Sequence, residues 1–270
     1  MSEMRSERLD MSSIIPVWNA LDQMATRINE IDNGPPTRIL TQRASDEAQP
    51  AGPRTYIAAS RAFFVGYESL RNLRLLLSTD KVTPLGPLHL VRPIFEGGFY
   101  GVYILEPNES LIRRRRGLSR EIYDDRQQAA WLKEFAGSLS KEELDDAAER
   151  QGRRRAVYTN EAVALKTTYQ DLNKKVTVID ELRGLETLRL HDQGLRETIA
   201  GAWRFLSACD HGLGFPTVHG TQVVSEEQIS GGVRRIVVAD DQTVMVMVHA
   251  ASYLLRLSGD LYLARSTTPI

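Results

Sequence analysis

Apolar side chains recur along most of this chain at three- and four-residue steps, the spacing that lines up one face of an α-helix. From Asp10 to Ile31 the pattern runs through Ile14, Val17, Leu21, Met24, Ile28 and Ile31. Ser12 or Ser13 is placed to cap the start, and Pro16 is tolerated in a first turn, where its missing N–H costs nothing. Asn33 to Pro36 ends the helix. Residues 37–53 are polar, with scattered Pro, Gly, Gln and Asp, and read as a flexible linker. A second helix is expected from Thr55 to Leu77, with Ile57, Phe64, Tyr67, Leu70, Leu73 and Leu77 on its buried side, followed by a turn from Asp80 to Pro87. Leu88 to Leu105 is nearly all apolar and aromatic, interrupted by Arg92, Glu96 and glycines.

Asn108 to Phe135 and Ser140 to Leu172 keep the helical period but carry the densest charge, and Ser140 with Glu143 makes a capping-box start. A short surface helix is expected over Asp180 to Leu190. Gly194 to Asp210 shows an apolar stripe of Leu195, Ile199, Ala202, Trp203 and Leu206, with Gly212 where a left-handed cap residue belongs. Leu213 to Gly220 reads as a loop. Thr221 to Val224 and the β-branched Gly232 to Ala239 pair as a small hairpin, and Asp241 to Arg265 is a long apolar final helix. The predicted fold is all-α, a helical bundle with a small β-hairpin insertion before the last helix. Its expected organisation is an N-terminal helix (1–36), the flexible linker (37–53) and a bundle domain (54–270).

Composition narrows the function classes. The chain has 270 residues, 42% hydrophobic and 26% charged, in the ordinary range for a globular protein. A formal charge of −1 argues against non-specific coating of nucleic acid, which needs a large basic surplus, and leaves room for a local basic site. The single cysteine, Cys209, excludes an intramolecular disulfide and a cysteine-rich zinc site. No apolar run reaches the roughly 20 residues that span a bilayer. The first ten residues are charged and lack the apolar core of a signal peptide, so a soluble, cytoplasmic protein with no membrane partner is expected. No phosphate-loop, dinucleotide or nucleophile-elbow pattern occurs, and no cofactor or metal is expected.

The candidate chemistry gathers near the end of the Gly194–Asp210 helix. Arg204 and His211 are seven residues apart, within about 20° of the same helical face. An arginine binds the non-bridging oxygens of a phosphodiester as a fork, and a histidine moves protons near neutral pH. Ser207 lies one turn before His211, and Asp210 lies beside it. The plainer alternative has His211 interacting with the negative helix terminus and Gly212 serving as its cap. Arg92 and Glu96, four apart in the apolar segment, either join the same cleft, with Glu96 orienting Arg204 or His211, or form a structural ion pair. Glu197 would share that face or be solvated. The basic runs Arg113–Arg116 and Arg153–Arg155 read as solvated helix faces paired with nearby acids, without interleaved aromatics for base stacking.

The Arg204-x6-His211 spacing at the end of a helix within a helical bundle resembles the HEPN superfamily, whose motif is Arg-x4–6-His. Phe205 to Gly212 also resembles the Leu-Ser-Ala-x-x-His-Gly segment of a group of bacterial helical proteins, in which an earlier Arg-x-x-x-Glu helix corresponds to Arg92 and Glu96 here. The family often places Asn or Asp directly after the motif arginine, and this chain has Phe205. The resemblance implies a metal-independent ribonuclease acting on RNA as a homodimer, in a toxin–antitoxin or antiphage setting with an antitoxin or other protein partner. Arg204 and His211 would be the catalytic pair, oriented by Ser207, Asp210 and Glu96. It equally implies the alternative that some members take, a non-catalytic helical module for protein contact or assembly.

Overall fold

The computed structural model describes residues 11–35, 39–79, 83–189 and 193–270. The charged first ten residues, Asp10 as a helix start, Pro36, Thr37, Asp80 and Leu190 lie outside the described residues. Within them the protein is an all-α bundle with one two-stranded hairpin before the last helix. No helix among the described residues is long and apolar enough to cross a membrane.

Helix α1 (Ile15–Asn33) buries Trp18, Leu21, Ala25 and Ile28. Its start has Ile14 at the cap position with no side-chain cap, while Ser13 meets His249 Nε2 at 3.2 Å instead of capping. The stretch expected to be a flexible linker differs from that expectation over its described part, residues 39–53. It holds α2 (Gln42–Glu47), capped by Thr41, and it buries Thr41, Asp46 and Ala51. Composition favoured a linker because Asp46 is polar, but a polar group is buried readily when its partners are supplied by the tertiary fold. Ala51 adopts a left-handed φ of 61°, and Gly52 then opens α3 (Gly52–Leu77) so close to α2 that a Cβ there would lie 1.8 Å from the Asp46 carbonyl oxygen.

Helix α4 (Gly86–Leu105) buries twelve of its 20 residues, a larger share than any other long helix. It lies between α3 and the final helix α12 (Asp241–Thr267). Glycines set these distances: a Cβ on Gly97 would lie 2.5 Å from the Ala62 carbonyl oxygen of α3, and one on Gly98 2.4 Å from the Leu255 backbone nitrogen of α12. Helix α5 (Ser110–Glu134) and α6 (Lys141–Ala164), which begins with the expected Ser140–Glu143 capping box, pack with α7 (Tyr169–Leu172) around a second, smaller apolar cluster of Leu118, Ile122, Tyr158, Ala162, Leu165 and Leu172. The short α8 (Val178–Gly184) and α9 (Glu186–Arg189) lead into α10 (Gln193–Asp210). The expected loop after it contains a further short helix, α11 (Gly214–His219), held by an edge contact between Phe205 and Phe215 with ring centres 6.0 Å apart. Strands β1 (Thr221–Ile229) and β2 (Gly232–Ala239) pair antiparallel from Thr221–Ala239 to Ile229–Gly232, with an irregularity between Val223 and Ser225. The hairpin is exposed along nearly its whole length.

A buried polar hub joins the two clusters. Asp46 accepts from Arg113 Nε at 2.8 Å, from a second Arg113 nitrogen at 3.0 Å and from the Tyr56 hydroxyl at 3.0 Å. Arg113 also donates to the carbonyls of Pro107 and Asn108, each at 2.7 Å. Arg265 of α12 completes the hub on the carbonyls of Leu105 and Glu106 and on the Gln42 side chain. The first basic run is therefore not a solvated face. Arg113 is buried, Arg114 reaches the Pro50 carbonyl, Arg115 the Leu165 and Lys166 carbonyls, and Arg116 the Tyr103 carbonyl. In the second run Arg153 pairs with Glu149 within its helix as expected, while Arg154 crosses to the buried Asp125. Replacing Arg113 by Ala should cost about 3–5 kcal/mol, because it leaves the Asp46 carboxylate buried without its counter-ion. Urea unfolding checks this: a midpoint unchanged from the parent would show that the pair does not hold the hub.

Candidate functional site at the junction of α4 and α10

Helix α10 presents two stripes. Trp203 and Asp210 are seven residues apart and share one, facing α4. Arg204 and His211 are each one residue further, hence about 100° around the helix. Both are exposed, and neither side chain has a hydrogen bond or ion pair among the described residues. Ser207 is half-buried.

The polar residues of α4 meet the first stripe. His89, Arg92 and Glu96 follow one another at three- and four-residue steps along one face. Arg92 Nε donates to Glu96 at 3.0 Å, and another Arg92 nitrogen donates to Asp210 Oδ2 at 3.0 Å. The Arg92 guanidinium also lies 5.3 Å from the Trp203 ring centre, and Trp203 lies 5.7 Å from Phe95. Glu96 thus reaches α10 only through Arg92 and pairs with neither Arg204 nor His211. Glu197 is exposed and accepts from Gln193 at 2.6 Å.

His89 is the member that sequence reasoning missed. Its Nδ1 lies 2.7 Å from Asp210 Oδ1. An ionised carboxylate only accepts, so this contact places the proton on Nδ1 and leaves Nε2 as the basic nitrogen. The signal was present in the sequence, since His89 stands three residues before Arg92 and seven before Glu96. Only Arg92, Glu96 and glycines register as interruptions of that apolar segment, and His89 is not singled out. His89 is half exposed, with a side-chain accessibility of 49%. Pro93, one turn later, has no N–H to give the His89 carbonyl, so the helix lacks that bond at the site.

The helix end itself has the cap expected from Gly212. With φ at +64°, Gly212 donates to the Cys209 carbonyl at 3.1 Å and Leu213 to the Ala208 carbonyl at 3.0 Å. These are the two bonds of a Schellman ending, which holds Asp210 and His211 in a fixed last turn. Among the described residues, no three His, Cys, Asp or Glu side chains gather as a metal-ion set.

The structure also pairs the first basic run with aromatics. Arg116 sits 4.2 Å from the Tyr103 ring centre, and Arg120 sits 4.0 Å from that of Tyr100 and 5.3 Å from that of Tyr123. Of these only Arg116 belongs to the run; Tyr100 and Tyr103 come from α4, whereas Tyr123 is on α5 itself. No protein-family model, curated protein or solved structure matches the chain.

Cys209, beside Asp210, is buried, and burial followed by the Asp210 charge pushes its thiol up to about 11. The fold therefore favours the protonated thiol. Its contribution to stability is complete below the ordinary value of 9.0 and is lost as pH rises towards about 11. At pH 8, thiol reagents should modify native protein at least about tenfold more slowly than urea-unfolded protein, since the thiolate is the reactive species. Equal rates would contradict this.

Proposed function

We propose that the chain is a HEPN-like, metal-independent endoribonuclease working as a homodimer, with its site at the α10 end. The observation that carries this reading is the 2.7 Å contact of His89 Nδ1 with Asp210. It adds a second imidazole near the helix end: Asp210 orients His89, while His211, the next residue, stands about 100° further round α10. One imidazole would take the proton of a ribose 2′-hydroxyl as the 2′-oxygen attacks phosphorus. The other would protonate the departing 5′-oxygen, leaving a 2′,3′-cyclic phosphate and a 5′-hydroxyl. Arg204, which has no partner among the described residues, is suited to the non-bridging oxygens, and Arg92 holds Asp210 and Glu96 in place. Ser207 lies on the same helix turn and would orient the pair. A dimer pairing two α10 ends about one cleft would supply two such sets. The apolar face of the Leu88–Leu105 segment is used inside the bundle between α3 and α12.

A second reading, the non-catalytic module for protein contact or assembly, is favoured by one observation. An apolar groove of about 490 Å³ runs between α1, α10 and α12, lined by residues that include Val17, Leu195, Met245, Val246 and Tyr253. Val246 on its rim is exposed.

The test is incubation of the protein with labelled RNA in the presence of chelator. Folded His89→Ala, His211→Ala and Arg204→Ala variants should each lose activity, by about 10²–10⁴ for a histidine acting in general acid–base catalysis. The products should end in cyclic phosphate. Variants that cleave like the parent would overturn the site. A parent that cleaves no RNA, but whose self-association or partner binding is abolished by Val246→Glu, would favour the module.

A further inference from the structure

The polar face of α4 does not stop at Glu96. His89, Arg92, Glu96, Tyr100 and Tyr103 follow one another at steps of three and four, so they form one continuous stripe. At 1.5 Å per residue, Tyr100 stands about 16 Å along the axis from His89. There the stripe meets α5 and the segment after α7 in a pocket lined by three tyrosines (Tyr100, Tyr103, Tyr123) and four cations (Arg116, Arg120, Lys174, Lys175), with no carboxylate in its lining. In a chain of net charge −1, four cations around one small space are a local excess.

Two of these cations lack a counter-ion. Arg120 is half-buried, yet its guanidinium lies on the Tyr100 and Tyr123 rings and has no hydrogen bond or ion pair among the described residues. Lys175 is exposed and likewise has no partner. Arg116 uses one nitrogen on the Tyr103 carbonyl at 2.6 Å, and Lys174 pairs with Asp171 at 2.9 Å. The nearby acids have cationic partners of their own, Asp124 with Arg61 and Glu96 with Arg92, and both line the adjoining cavity on the other side of Arg120 and Tyr100. Burial pushes the Tyr100 and Tyr103 hydroxyls up, with Glu96 adding to the effect at Tyr100 and Glu181 at Tyr103, so both stay protonated donors at neutral pH. The Arg120 donors are not sealed from solvent, so an anion can reach and complete them.

The enclosed space is small, about 30 Å³, so an anion would be held at the pocket mouth by Arg120 and Lys175. We propose that this pocket is a phosphate anchor for single-stranded RNA, holding a backbone phosphate while the strand follows the α4 stripe to the His89–Asp210 site. Tyr100 and Tyr123, against whose rings Arg120 lies, would hold its guanidinium in place for the phosphate. The anchor as a phosphate site rests on the pocket alone; the direction of the strand rests on the ribonuclease reading above.

The experiment is fluorescence anisotropy of a labelled single-stranded RNA 12-mer titrated with full-length protein, in low salt and across a salt series, with inorganic phosphate and AMP as competitors. Lys175→Gln, which touches nothing that supports the fold, and Arg120→Gln, checked for an unchanged thermal transition, should together weaken binding at least tenfold. They should also reduce the salt slope by about 1.4, the value for two lost phosphate contacts on a single strand. Lys141→Gln, which removes an exposed cation at the start of α6 outside the pocket lining, should bind as the parent does. Affinity unaffected by the Arg120 and Lys175 changes would overturn the anchor, as would a parent that binds phosphate or AMP but not the 12-mer. Binding that depends on Arg120 and Lys175, without any cleavage, would leave the anchor standing and remove the catalytic reading.

Discussion

The burial of Asp46 against Arg113 is the constraint on which the other arrangements rest. Both ions are out of water, so the pair is tolerable only because every remaining donor and acceptor around it is occupied. Tyr56 from α3, the carbonyls of Pro107 and Asn108 before α5, and the neighbouring Arg265 from α12 supply those partners. Four helices and the α4–α5 connection are thereby held at one point. Charge and hydrogen-bond geometry make this junction less forgiving than an apolar contact, which accepts volume-conserving swaps with modest loss. The C-terminal end of α4 is fixed in consequence. The Tyr56 hydroxyl, pushed up by burial and by the Asp46 charge, remains a donor to that carboxylate at any physiological pH.

Helix α4 then divides its circumference between two tasks. One side carries Gly97, Gly98 and Gly101, whose missing side chains let α3 and α12 approach to backbone contact. The other carries His89, Arg92, Glu96, Tyr100 and Tyr103. A helix clamped this closely on one side cannot rotate about its axis, so the polar stripe keeps a fixed bearing towards α10 and α5. The Schellman ending of α10 does the same for Asp210. Pre-set positions of this kind are what acid–base and anion-binding groups need, since their effect falls steeply with misplacement.

Much of the architecture was legible as periodicity. The boundaries of α3, α4, α10 and α12, the capping box of α6, the cap at Gly212 and the hairpin all follow from local rules about side-chain spacing and backbone preference. The Arg92–Glu96 pair was likewise readable, because four residues on a helix place two side chains side by side. Residues 39–53 and the run Arg113–Arg116 were misread for one shared reason. Their polarity implied solvent, whereas their partners lie 50 or more residues away in sequence, as with Asp46 and Arg113 or Arg115 and the Leu165 carbonyl.

The candidate site shows the same division at finer scale. Sequence alone determined that the end of α10 concentrates polar groups, that Arg204 and His211 share a face, and that Gly212 ends the helix there. It also determined that the chain is an all-α bundle with a late hairpin, because hydrophobic period and turn chemistry are properties of neighbours along the chain. Only the tertiary structure decided that the neighbouring stripe, Trp203 and Asp210, is the one that faces α4, and that Asp210 selects His89, 121 residues earlier. Only it brought Tyr100 and Tyr103 beneath Arg120 and Arg116. One residue on a helix turns a side chain through about 100°, so which of two adjacent stripes meets a partner depends on how the helices pack, and no local pattern records that.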